Sequence, residues 1–420
     1  MKRIEIFRRS ALALTVVAAA PAQAVNGFQM IGFGEHQVAL GGAVTANPAS
    51  AMTALTNPAG LTRVGERADF SLEAFMPDVS LDAGASAFGA GRRVDSSGDF
   101  YGIPSIGWVG RTGNERLFFG GGMYATAGLG ADYGTVRLNG GGTTFNGYSN
   151  VGIFRISPAI GHTLSPRLSW GVAVNLNMLQ LGFSETLSNA GPNDFKFDLG
   201  RAGQAIGVGA TLGILYDLVP QRLTLGASYT TASNFGDTTF RLDDGDITLG
   251  GVAQPAGDYD AAFDFPQQAA IGLAWRTAGG LTLSADVKWI AYSDTLADFH
   301  ITGPAGSYNL APGWEDVTVY AIGLSYAATP RLTLMAGYNH SNAPVEADHV
   351  FANLVFPAIV TRHYTAGIDY HLGENWGLGG AVMIVPEDEL TGVTDLGGAD
   401  SGLTLRNGIL SLGMNISYRF

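Results

Sequence analysis

The chain has 420 residues, no cysteine, and 23 Lys+Arg against 36 Asp+Glu. The missing thiols exclude a disulfide framework, a thiol nucleophile, a Cys-ligated metal and a lipidated N-terminal Cys, and the acidic balance argues against nucleic acid, whose backbone needs clustered Lys/Arg. Charged residues make up only 14%, hydrophobic residues 46%, and Gly occupies 60 positions, so a large surface is expected to face something other than water.

The first residues read "MKRIEIFRRS", then the apolar run "ALALTVVAAA", then "PAQA". A basic start, a short apolar core and an Ala-Gln-Ala pattern predict a secretory signal peptide over residues 1–24. The apolar run is about half of the ~20 residues that a membrane-spanning helix needs. Further along, the closest approach to such a helix is "AGQAIGVGATLGILY" from Ala202, which is short and crowded with Gly. A membrane crossing by this chain therefore has to be made with strands.

Residues 25–64 do not alternate between polar and apolar. They are small, sparsely charged and punctuated by Asn-Pro-Ala twice, at Asn47-Pro48-Ala49 and at Asn57-Pro58-Ala59. Asn before Pro is biased away from the right-handed helical region and Pro fixes its own φ, so each copy separates two segments. The first is expected to stop a helix inside this segment, the second to hinge the segment to the strands after it, with a short helix in "SAMTALT" between them.

From residue 65 to 420 the period changes to two. Leu410, Leu412, Met414, Ile416, Tyr418 and Phe420 fall on one face, while Ser411, Gly413, Asn415, Ser417 and Arg419 fall on the other. Leu281 to Trp289 and Leu168 to Met178 repeat the pattern, with weaker copies from Leu223, Leu332 and Trp376. Such alternation is a strand with one apolar and one polar side. The strands begin after short turns ("LSPRLSW", "LVPQRLTL", "RTAGGLTL", "ATPRLTL", "LGENWGL") and end in long acidic connections such as "RLDDGDITLGGVAQPAGDYDAAFDFP".

Short turns at one end and long loops at the other mark an outer-membrane barrel. A soluble sandwich would alternate too, but with more charge on its outer faces. The fold class predicted is all-β: a transmembrane antiparallel β-barrel of about fourteen strands of the ~9–11 residue length that a tilted spanning strand needs. A closed sheet leaves no edge for residues 25–64 to join, so they are expected to fold into the lumen as a hatch. Tyr229, Trp275, Tyr292, Tyr338 and Tyr370 suit interfacial girdles, and the strand ending on Phe420 suits the outer-membrane assembly machinery. In the third strand, "LFFGGGMYATAGLG", the run Gly120, Gly121, Gly122 removes three side chains where a strand could bulge away from its neighbour.

The order of leader, "GFQMIGFG", "ALGGAV", "TNPAGL" and an all-strand remainder resembles the FadL/TodX/OmpP1 family of outer-membrane transporters for hydrophobic compounds, and "FDFPQQAAIGLAWRTAGGLTLSADVKWIAYSD" and "TRHYTAGIDYHLGENWGLGGAVMIVP" resemble its C-terminal half. The resemblance implies a hatch-closed barrel, with Asn57, Pro58 and Ala59 as the hatch motif. It also implies an inward kink in the third strand, assigned to Gly120–Gly122, through which cargo leaves sideways into the outer leaflet.

A lipid-like cargo gains most of its binding from buried area. Candidate contacts are therefore Phe28, Met30 and Phe33 in the hatch and Phe195, Phe197, Phe235, Phe240, Phe263 and Phe265 in the loops. Fatty-acid transporters of the family are expected to hold the carboxylate with basic groups, for which Lys288 and Arg155 are the candidates here. The matching strand ends, "LGFSETLSN" and "AYSDTLADFH", are acidic or neutral, which leaves neutral or aromatic hydrocarbons open as cargo.

No Gly-x-Ser-x-Gly elbow, His-Glu-x-x-His or phosphate-binding Gly-x-x-x-x-Gly-Lys occurs, and His162, His340 and His363 are scattered. An enzyme is therefore not expected, and neither a cofactor nor a metal is called for. A general porin would show a charged constriction and no hatch. The expected partners are a hydrophobic small molecule, outer-membrane lipid and lipopolysaccharide, and the assembly machinery, with the protein a monomer in the outer membrane.

Overall fold

The computed structural model describes residues 26–84, 86–89, 91–138 and 142–420, so the expected leader lies outside the described residues. Fourteen antiparallel strands close into a barrel. They are β1 (Arg67–Asp82), β2 (Tyr101–Arg111), β3 (Leu117–Arg137), β4 (Thr144–Ser165), β5 (Leu168–Ser188), β6 (Phe195–Val219), β7 (Leu223–Thr230), β8 (Gln268–Arg276), β9 (Leu281–Ile290), β10 (Val317–Ala327), β11 (Leu332–Ser341), β12 (Arg362–Leu372), β13 (Trp376–Thr391) and β14 (Thr404–Arg419). Each pairs with the next, and β1 pairs with β14 from Arg67 opposite Arg419 to Asp82 opposite Thr404, which closes the sheet on itself.

The alternation translates directly into this wall. Leu410, Leu412, Met414 and Ile416 point outward, Met414 being 69% exposed to the surroundings of the bare chain, while Ser411, Asn415 and Ser417 are buried on the lumen side. Ile206, at 70%, continues the apolar band on β6. That inversion is stable only where the outer face meets lipid. Trp376, Tyr418 and Phe420 cluster at the short-turn end, with ring centroids 4.8 and 5.3 Å apart, in the position of an interfacial girdle. Tyr229, Trp275 and Tyr370 are exposed on the wall as expected, but Tyr292 is fully buried and belongs to the interior. It stands just past the apolar face of β9, where the chain has already turned inward.

At the long-loop end the two longest connections build a second, four-stranded sheet from Asp237–Leu242, Gly257–Ala262, His300–Gly303 and Gly306–Asn309. Inside the wall lies the hatch. It contains a helix α1 (Glu35–Ala39), a single turn α2 (Thr53–Thr56) and a 3₁₀ turn over Pro58–Thr62. No helix runs into Asn47-Pro48-Ala49, so that copy is not the expected helix stop. It is irregular chain held by the barrel: Arg276 donates to the Asn47 side-chain oxygen at 3.0 Å and Arg67 to the Ala49 carbonyl at 2.9 Å.

Candidate functional site

The hatch docks because the wall has been stripped of side chains where it touches. A methyl group at Gly171 or Gly213 would overlap Pro58 or the Asn57 side chain, one at Gly226 the Thr45 carbonyl, and one at Gly337 the Gly41 amide. These glycines form a lumenal ring on β5, β6, β7 and β11, which is where part of the chain's glycine content goes. Asn57, fully buried, then serves as a junction. Its side-chain nitrogen donates to the carbonyls of Thr45 (2.8 Å) and Ile214 (3.1 Å), while its oxygen accepts from the Ala59 amide at 3.2 Å and caps the 3₁₀ turn. Pro58 follows at the first helical position, where its missing N–H leaves no donor unpaired.

Two carboxylates finish the docking. Asp286 on β9 accepts from the amides of Val44 and Thr45 at 2.9 and 2.8 Å, and Asp69 on β1 accepts from the Ala51 amide at 2.7 Å. Glu35 opens α1 inside the lumen. Burial pushes its carboxyl up to about 8, with Asp69 and Asp369 adding to the shift. Burial also pushes the neighbouring His36 imidazole down, although Asp369 lies 3.9 Å away.

The wall has an unusual seam. β2 and β3 pair from Arg111/Phe118 only as far as Ser105/Tyr124, whereas β3 goes on to Arg137. On its β4 side the β3 ladder skips Thr126 and then Tyr133. Each skip is a bulge that bends and twists the strand. Between the two bulges the other edge of β3 is taken by the hatch: the Met30 amide donates to the Thr126 carbonyl at 3.3 Å and the Gly128 amide to the Phe28 carbonyl at 3.0 Å. Contact with the β2 side resumes at Ser96 and Ser97: the Ser97 amide donates to the Asp132 carbonyl at 2.8 Å, and the Asp132 amide donates to the Ser96 hydroxyl at 2.9 Å.

The expected kink at Gly120–Gly122 is thus displaced. Those glycines are paired to both β2 and β4, and the break begins just beyond them. They are glycines because the backbones crowd there: a methyl at Gly121, where φ is 147°, would overlap the Ser157 carbonyl, and one at Gly122 the Ile106 carbonyl and the Tyr124 hydroxyl.

Next to the seam, at the long-loop end, is an apolar pocket of about 450 Å³. Leu129 of bent β3 and Leu181 of β5 form one side, and Phe263, Phe299, Trp314 and Phe356 from the loops form the other. Phe28 packs against it from the hatch, its ring centroid 5.6 Å from Phe263 and 5.8 Å from Trp314. A second, more polar cavity of about 640 Å³ lies deeper, between the hatch and β7–β11.

Of the sequence candidates, Phe263 lines the apolar pocket and Phe28 abuts it. Met30 and Phe33 line the polar cavity, as does Lys288. Phe195, Phe197, Phe235 and Phe240 pack in the core that supports the loops, away from both cavity linings. Arg155 is buried with its guanidinium carbon 4.4 Å from the Phe265 ring centre, a cation–π contact, and its Nε donates to Asn177. Arg155 and Lys288 do not converge on one cavity. Phe299, Pro312, Trp314 and Phe356 are pocket residues that the sequence reading does not single out. The apolar runs inside otherwise polar connections, "NLAPGW" and "VFANLVFPAIV", are the signal for them.

A family model described as "Outer membrane protein transport protein (OMPP1/FadL/TodX)" matches residues 11–420. The fold is similar to the crystal structure of the P. putida toluene transporter TodX, at 23% identity and a TM-score of 0.75, covering 93% of this chain and 99% of that one. It is also similar to the Ralstonia pickettii toluene transporter TbuX (20%, TM-score 0.71, 93% and 98% covered) and to a Pseudomonas aeruginosa FadL homologue (14%, TM-score 0.74, 94% and 100% covered). No curated protein matches the sequence. With nearly its whole length covered by that model, the chain belongs to the OMPP1/FadL/TodX family of outer-membrane transport proteins and is a transport channel, not an enzyme.

Proposed function

We propose that the protein takes up hydrophobic small molecules passively, receiving them in the apolar pocket under the long loops and releasing them sideways between β2 and β3 into the outer leaflet. The observation that carries this reading is the seam: the edge of β3 around Thr126–Gly128 is hydrogen-bonded to the hatch where a closed wall would have β2. Leu129 belongs both to the bent stretch and to the pocket lining, so the two are contiguous. Transfer of apolar surface out of water supplies the driving force, about 25 cal/mol per Å² buried.

Long-chain fatty acids, related lipids and hydrocarbons are the proposed cargo range. Relatives described as toluene transporters support the neutral, aromatic end of it. So does the separation of Arg155 from Lys288, which leaves no pair of basic groups among the described residues to hold a carboxylate in the apolar pocket. The outward apolar band supports a monomer surrounded by lipid and lipopolysaccharide, and the aromatic Phe420 at the end of the last strand supports recognition by the assembly machinery.

The test is uptake of labelled toluene and labelled oleate into proteoliposomes. Entry faster than into protein-free vesicles is expected for at least one of them, and no acceleration of either would overturn the reading.

A further inference from the structure

Among the described residues, one ionisable side chain lines the apolar pocket. Glu185, near the long-loop end of β5, is only 8% exposed and sits among Leu129, Leu181, Phe263, Leu296 and Trp314. Its carboxyl group faces the backbone amide of Val355, yet its Oε1 is buried with no hydrogen-bond partner among the described residues. No described basic residue lines the pocket. Trp314, the other polar side chain in the lining, has its ring N–H committed to Asn353 at 2.7 Å.

An unpaired carboxyl oxygen in an apolar cavity is costly, because burial removes its water and supplies no donor in exchange. The Val355 amide accounts for one side of the carboxyl group, and no described loop contact accounts for the unpaired Oε1. A ligand hydroxyl removes the deficit whichever protonation state Glu185 holds, because the hydroxyl both donates and accepts. A ligand carboxylate does the opposite, bringing a second negative charge into a low-dielectric space.

We infer that Glu185 is a specificity-determining residue, selecting neutral apolar molecules that carry one hydroxyl, such as phenols and compact aromatic alcohols. This rests on the proposed uptake of hydrophobic molecules and narrows its cargo. The hydroxyl donates to Glu185 Oε1 while the hydrocarbon part fills the space between Leu129, Phe263 and Trp314. A site built to hydrogen-bond a hydroxyl discriminates against the analogue that lacks it more strongly than an apolar wall discriminates by size.

The experiment measures binding of p-cresol, toluene and benzoate to the detergent-purified protein by calorimetry, for the native chain, Glu185→Gln and Glu185→Leu. Glu185→Ala serves as the truncation if leucine does not assemble. The expected result is a preference for p-cresol over toluene that falls about tenfold in the leucine or alanine variant. Glutamine, which keeps an acceptor, retains the preference to within about threefold, and the native chain binds benzoate least. Toluene binding with an unchanged cresol-to-toluene ratio in the truncated variant overturns the role of Glu185 and leaves the uptake reading standing, as does benzoate bound as tightly as p-cresol. A native chain that binds none of the three also overturns the role of Glu185, while the wider uptake reading falls only with the toluene and oleate vesicle assay.

Discussion

The Tyr292 hydroxyl lies between two backbone groups of the hatch, accepting from the Phe28 amide at 3.2 Å and donating to the Asn26 carbonyl at 2.5 Å. The two rings also meet edge-on, with centroids 5.1 Å apart. One interior residue just past β9 therefore fixes the segment that occupies the β3 edge. Replacing Tyr292 with Phe keeps the ring contact and removes both hydrogen bonds, about 1–3 kcal/mol for a buried pair left unsatisfied. Amide hydrogen exchange at Phe28 should become about tenfold or more faster, while the barrel stays heat-stable on gels. An unchanged rate would mean that ring packing alone holds the hatch tip.

Deletion of Thr126 tests the seam. That residue is the extra one in the β3–β4 ladder, so its removal lets Ala125 and Ala127 oppose Phe154 and Ile153 without a bulge. A straightened β3 should continue pairing with β2 past Ser105. Toluene uptake by proteoliposomes is expected to fall to the protein-free rate with the folded barrel retained. Persisting uptake would place the exit elsewhere.

Gly122→Ala has a different expected outcome, which separates crowding from gating. The added methyl would overlap the Ile106 carbonyl and the Tyr124 hydroxyl, and backbone cannot move aside cheaply between two paired strands. The variant should assemble poorly, with loss of the folded band on unheated gels. Normal assembly together with lost uptake would restore these glycines as the gate.

Glu35 makes hatch docking dependent on pH. Its carboxyl, ordinarily near 4.5, is held up at about 8 when docked, so the docked hatch keeps a proton that an undocked one loses. Docking is then strongest below the ordinary value and weakens as pH rises toward about 8. His36, shifted down, acts oppositely and only as pH falls through its ordinary range near 6.5. Between pH 7 and 8 His36 no longer contributes, and the undocked fraction should rise about fivefold through Glu35. Ion conductance across planar bilayers should increase over that interval for the native chain and stay flat for Glu35→Gln. A rise of the same size in the variant would exclude Glu35 as the source.

The barrel is legible in the sequence because lipid outside and a polar interior impose opposite demands on successive residues. Leu410 to Phe420 state both demands within eleven positions. Asn57-Pro58-Ala59 is legible for a local reason, since an Asx cap followed by Pro is self-contained chemistry. The seam is not. Its bend depends on hatch residues Phe28 and Met30 bonding to a strand about a hundred positions later, and no local signal at Thr126 announces that. Gly120–Gly122 attracts the assignment because glycine marks both bulges and close approach, and here it marks the second. The pocket is half legible: aromatic residues in loops are an obvious signal, but which of them support and which line depends on how three separate loops meet.

A barrel ordinarily protects itself from lateral aggregation by having no strand edge, and the bent stretch of β3 gives that protection up. Phe28 to Met30 restore it by satisfying the backbone groups at Thr126 and Gly128. The hatch tip is thus also a shield against edge-to-edge association with neighbouring barrels in a crowded membrane. A chain deprived of that tip would present a sticky ribbon to the bilayer, and its dominant defect would be self-association before any change in what it carries.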